Sequence, residues 1–273
     1  SLAATDPATT SCDALVVAVM PKGKGVQLAA HGLSPATEKA LLGALKALGA
    51  TGKSGELTRL AGVAGIKAPV VLVVGVGDFA NGADLESLRR SVGSAVRALA
   101  GLSRIAIICS PGPDLVRAIA LGAALAAYEF TAFKSKPSPR TAPVSAIALL
   151  LPSTPDRALR SIIREVNTIT DAVNLTRDLV NTPPNALPPA KLAKAARAAV
   201  ADLPVKVTVW DEKMLKRDGC GGILAVGQGS DNPPRLVKME YSPRGATASL
   251  AIVGKGITFD TGGISIKPAA NMD

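Results

Sequence analysis

Continuous apolar runs alternate along this chain with segments whose apolar residues recur every three or four positions, and that alternation predicts strands followed by helices. Residues 13–20 read as a buried strand, ending in a turn over Pro21-Lys22-Gly23-Lys24-Gly25. A helix should follow, with Ser34 as its N-cap, Pro35 at its first position and Ala40, Leu41, Leu45 and Leu48 on its apolar side; Gly49 ends it. Residues 69–76 form the next strand. Residues 84–100 form a helix striped by Leu85, Leu88, Val92, Val96 and Leu99. A strand over 104–109, a helix over 114–128, a proline-rich basic loop and a strand over 144–151 complete the first part. Such alternation implies a mixed or parallel sheet covered on both faces.

The run Leu151-Pro152-Ser153-Thr154-Pro155 marks a boundary. A long helix follows over 156–179, about 24 residues and roughly 36 Å, with Leu159, Ile162, Ile163, Val166, Ile169, Val173 and Leu179 on one stripe. Asn181-Thr182-Pro183-Pro184-Asn185 stops it. Beyond it come a helix over 188–200, a strand over 205–210, a short helix over 212–217, and strands over 221–227, 236–241 and 248–253 in a βαβ-like order. The expected fold class is α/β. It comprises an N-terminal domain over 1–152 with a mixed or parallel sheet, a connecting helix over 153–180, and the start of a second α/β domain over 181–273.

Composition narrows the function. The chain has 273 residues, 48% of them hydrophobic, which suits close-packed cores. Aromatic residues make up 3%, which argues against a stacking surface for single-stranded nucleic acid. The net charge of +10 permits polyanionic partners, but Lys22, Lys24, Lys53, Arg89, Arg90, Lys134, Lys136 and Arg140 are scattered. Apolar runs are too short to span a bilayer, and Ser1 to Thr10 does not read as a signal peptide, so no membrane partner is expected. Cys12, Cys109 and Cys220 are widely spaced and read as reduced thiols of a cytoplasmic protein. The single histidine, His31, is far from any candidate partner and reads as a surface or cap residue, which argues against a Ser-His-Asp triad or a histidine-rich zinc site.

Two glycine loops are weak phosphate signals. Gly75-Val76-Gly77 follows a strand but lacks the third glycine of a dinucleotide fingerprint, and Gly52-Lys53-Ser54 lacks the earlier glycine of a phosphate loop. The richer stretch runs from Val253 to Pro268. Lys255, Asp260 and Lys267 fall there within a dozen or so residues of glycine-rich chain that leaves an apolar strand. Asp260 is either a hard oxygen ligand for Mn²⁺, Mg²⁺ or Zn²⁺ or a turn-capping carboxylate. Lys267 is either an electrophile facing a developing oxyanion or a solvated lysine. Lys255 is a phosphate binder, a salt-bridge partner, or a metal ligand if burial and a nearby cation favour the neutral amine.

The run Gly254-Lys255-Gly256-Ile257-Thr258-Phe259-Asp260-Thr261-Gly262-Gly263-Ile264-Ser265-Ile266-Lys267-Pro268, with Asn271-Met272-Asp273, closely resembles the leucyl (cytosol) aminopeptidases. Residues 177–185, Gly222 to Ser230, Pro233 to Leu236 and Tyr128 to Ser135 share the likeness. The resemblance implies a hydrolase with two divalent metal ions, Mn²⁺ or Zn²⁺. Lys255 and Asp260 would be ligands, Lys267 the catalytic lysine that polarises the scissile carbonyl, and all three would line the substrate site. It also implies peptide substrates with a free N-terminus, leucine-like residues preferred, bicarbonate as a proton shuttle, and a homohexamer assembled with the N-terminal domain. Asp273 matches a non-ligand aspartate. The family's remaining ligands and its catalytic arginine have no counterpart here, so the 273 residues are expected to be part of a longer protein and inactive alone. The alternative is a hexameric, architectural DNA-binding protein.

Overall fold

A computed structural model describes residues 1–29, 32–78, 84–136, 138–257 and Ala270. The chain divides into two units, Ser1–Thr176 and Arg177–Asp273. The expected α/β class is borne out.

Unit 1 contains, in order, β1 (Leu2–Ala3), β2 (Ala14–Lys22), β3 (Gly25–Leu28), α1 (Pro35–Ala47), β4 (Leu57–Ala61), β5 (Val70–Gly75), α2 (Leu85–Ala98), β6 (Arg104–Ile108), α3 (Pro113–Ala126), β7 (Ala146–Leu150) and α4 (Arg157–Asn181), whose last residues cross into unit 2. One sheet runs in the order β1-β7-β6-β2-β5-β4, with β3 paired to β2. The pairs β1–β7, β7–β6, β6–β2 and β2–β5 are parallel; β5–β4 and β2–β3 are antiparallel.

The near-continuous apolar strands are explained by this arrangement, because both faces of the sheet are covered. Alternate residues of β2 divide between two cores. Ala14 and Val16 pack with Leu72, Ile105 and Ile107 under α2, α3 and the Leu159, Ile162 and Val166 side of α4. Leu15, Val17 and Val19 pack with Val71, Val73 and Ile108 against Leu41 and Leu45 of α1. Leu41 and Leu45 are fully buried, each worth about 1.5–3 kcal/mol of transfer free energy.

Local chemistry sets the helix starts. The Ser34 hydroxyl accepts the Thr37 amide at 3.2 Å, as expected of the cap, with Pro35 opening α1. The Asp84 carboxylate accepts the amides of Glu86 and Ser87 at 3.1 Å each and starts α2. Helices α2 and α3 meet at two glycines. A β-carbon on Gly122 would overlap the Arg89 carbonyl, and one on Gly93 would sit 3.3 Å from the Gly122 oxygen.

Unit 2 contains α5 (Pro189–Ala199), β8 (Val205–Trp210), α6 (Glu212–Arg217), α7 (Gly221–Gly227) and β9 (Leu236–Tyr241). Two expectations are corrected. Gly221–Gly227 is a helix, not a strand. The run is short and has no period of its own, and its central Leu224 and Ala225 are good helix formers. Strands β8 and β9 pair antiparallel, with Val205 opposite Tyr241 and Trp210 opposite Leu236, so the βαβ-like order is not formed. Ala193 and Leu215 are the buried apolar side chains of this unit among the described residues.

Candidate functional site

Strand β9 leads into a turn. The Ala246 amide donates to the Pro243 carbonyl at 3.3 Å, and Gly245 takes a φ of 78°, in the left-handed region that favours glycine. From there the chain carries the residues expected to do chemistry.

The strand expected over 248–253 is not formed. These residues are irregular, and Leu250, Ile252 and Val253 are 88%, 89% and 94% exposed. A strand exists only beside a hydrogen-bonded neighbour, and none of the described strands pairs with this run. Its apolar composition records an environment that the described residues do not supply.

Lys255 lies in this exposed segment. Its neighbour Gly256 passes over α5, where a β-carbon would stand 3.1 Å from Leu192 Cδ2. Asp260, Lys267 and Asp273 lie outside the described residues, as does His31. Of the three expected site residues, the described residues therefore include one, Lys255.

By element, the donor set suits a divalent ion: an amine nitrogen and a carboxylate oxygen are acceptable to zinc or manganese. An ammonium has no lone pair, so Lys255 ligates only as the neutral amine, the form that burial beside a cation favours. The exposed position of Lys255 does not provide that burial. Among the described residues, no three His, Cys, Asp or Glu side chains gather in a metal-holding group.

Of the upstream stretches that resemble aminopeptidases, those around Asp178 and over Gly222 to Leu236 lie among the described residues of unit 2. Around Asp178, α4 ends where the Thr182 amide and hydroxyl both donate to the Asp178 carbonyl, at 3.0 and 2.6 Å, ahead of Pro183. Helix α7 and the segment after it enclose an open groove of about 500 Å³ lined by Glu212, Leu224, Gln228, Ser230, Pro233 and Pro234, among others. Arg235 pins its wall, donating to Glu212 and the Pro234 carbonyl at 2.8 Å each. Gly227 lets Pro234 come close, since a β-carbon there would lie 2.6 Å from the proline ring. At the end of α6, Arg217 and then Trp210 hold the Asp218 carboxyl down to about 2.

In unit 1 the glycine loops have a packing role that the sequence reading did not identify. A β-carbon on Gly75 would overlap the Lys53 carbonyl and stand 2.7 Å from Gly52 C. The Gly77 amide donates to the Gly52 carbonyl at 3.0 Å, and the Gly55 amide to Gly75 at 2.9 Å. The amide-lined turn over Thr51 and Gly52 already holds an anion, the Glu56 carboxylate, at 2.6–3.1 Å. Strand β3 pairs with the C-terminal half of β2 on the side that β6 occupies lower down. Doubly wound sheets commonly open a ligand crevice between strands at that place; here the chain's own strand occupies it.

Models of one family match both units. Its N-terminal domain ("Cytosol aminopeptidase family, N-terminal domain") matches residues 16–137, and its catalytic domain matches residues 174–273. A probable cytosol aminopeptidase of Streptomyces griseus subsp. griseus is 44% identical over 294 residues, covering 100% of this chain and 56% of that protein. Another, of Micrococcus luteus, is 47% identical over 214 residues, covering 76% of this chain and 42% of that protein. Among solved structures, the bottromycin maturation enzyme BotP in complex with Mn superposes with a TM-score of 0.74 at 26% identity, covering 96% of this chain and 51% of that one. A mutant of tomato leucine aminopeptidase has a TM-score of 0.75 at 24% identity, covering 97% and 55%, a likeness of fold. The chain spans about half the length of the curated relatives it matches. With both units matched by models of one family, and relatives of that family more than 40% identical, this chain belongs to the cytosol aminopeptidase family.

Proposed function

We propose that the whole protein is a metal-dependent aminopeptidase that releases N-terminal, leucine-like residues from peptides in the cytoplasm. The observation that carries this reading is the Lys255–Asp260–Lys267 motif, which falls within the residues matched by the family's catalytic domain. A solved neighbour in complex with Mn supports the choice of metal. Lys255 and Asp260 hold divalent ions, manganese or zinc. When bound, the ions supply Lewis acidity and activate water. The Lys267 ammonium donates a hydrogen bond to the scissile carbonyl oxygen and stabilises the negative charge that develops on it. Lys255 lies exposed with no metal-holding group beside it among the described residues, and the 273 residues alone are expected not to turn over peptides.

On this reading residues 1–152 form an assembly domain, 153–180 a connector, and 181–273 the opening portion of the catalytic domain, within a homohexamer. The family models support this division, because they leave most of α4 between their two matches.

The test is Mn²⁺-dependent release of leucine from leucine amide by the whole protein. Lys267→Ala should lower kcat by about 100- to 1,000-fold, and undiminished turnover would sink the assigned role. Turnover by the 273-residue chain alone would overturn its predicted inactivity.

A second reading, DNA binding, draws on the net charge of +10 and on Arg157, Arg160 and Arg164, which recur on one exposed side of α4. A mobility-shift series in rising salt decides it, because a phosphate-driven complex weakens steeply with salt.

A further inference from the structure

We draw no further inference here: the strongest candidate, the exposed, uncharged apolar run Leu250–Val253 that follows the β8–β9 ribbon of unit 2, carries nothing because nothing in the structure shows what covers it.

Discussion

The Glu56 carboxylate accepts the Gly52 amide at 2.6 Å and closes a turn that would otherwise present its amides to solvent. The Thr51 amide and hydroxyl add donors at 2.9 Å each. Desolvation pushes the Glu56 carboxyl up, but the Thr51 hydroxyl and the amides of Thr51, Gly52 and Lys53 outweigh it, leaving it below the usual 4.5. Its contribution is therefore full above the ordinary glutamate value and is lost as pH falls through the lowered one. Glu56→Gln should cost about 1–2 kcal/mol near neutrality. Urea midpoints of both proteins between pH 3 and 7 should converge on the acid side. A gap that widens with acid contradicts the assignment.

Gly122→Ala should destabilise unit 1, because its methyl group would press α3 into the backbone of α2 at Arg89. The expected loss is about 1–3 kcal/mol, the range for overpacking. Chemical denaturation followed by far-ultraviolet circular dichroism measures it. An unchanged midpoint means that the helices separate at no cost, contrary to the close approach.

Thr170 should respond in the opposite direction. Its hydroxyl is buried on α4 and has no hydrogen-bond partner among the described residues. Thr170→Val keeps the shape and removes the desolvated polar group, so it should stabilise by about 1 kcal/mol. A loss of stability on thermal or urea unfolding would reveal a partner for the hydroxyl.

The three cysteines should separate by reactivity. Burial in the unit 1 core pushes the Cys109 thiol up to about 12, which keeps it protonated and inaccessible. Cys12 is half-buried, with a thiol also raised, first by desolvation, and Cys220 is half-buried. Maleimide labelling at pH 8, mapped by mass spectrometry, should modify Cys109 last and fully only after denaturation. Early labelling of Cys109 contradicts the packing of β6.

Much of unit 1 was legible in the sequence because its elements are long and their patterns clear. The stripe Leu88, Val92 and Val96 specifies α2, and the runs at 14–20 and 70–75 can only be buried strands or buried helix. Strand β4 was not legible. It is an antiparallel edge whose residues alternate between exposed and half-buried, and Arg59 at its centre hides it among polar loops. Helix α7 was misread because a seven-residue apolar run carries no period that separates helix from strand.

For the candidate site the division is sharper. The linear order of residues alone determined the donor types, Lys255, Asp260 and Lys267, and the motif that ties the chain to its family, since these depend on identity and spacing. Tertiary structure alone decided that Gly52, Gly75 and Gly77 serve a backbone-to-backbone contact, because that contact depends on segments some twenty residues apart meeting. It also decided that Leu250 to Val253, apolar enough for a buried strand, stays exposed with Lys255 just beyond it. Hydrophobicity states what a segment would gain by burial; a neighbouring strand and a covering layer determine whether burial occurs.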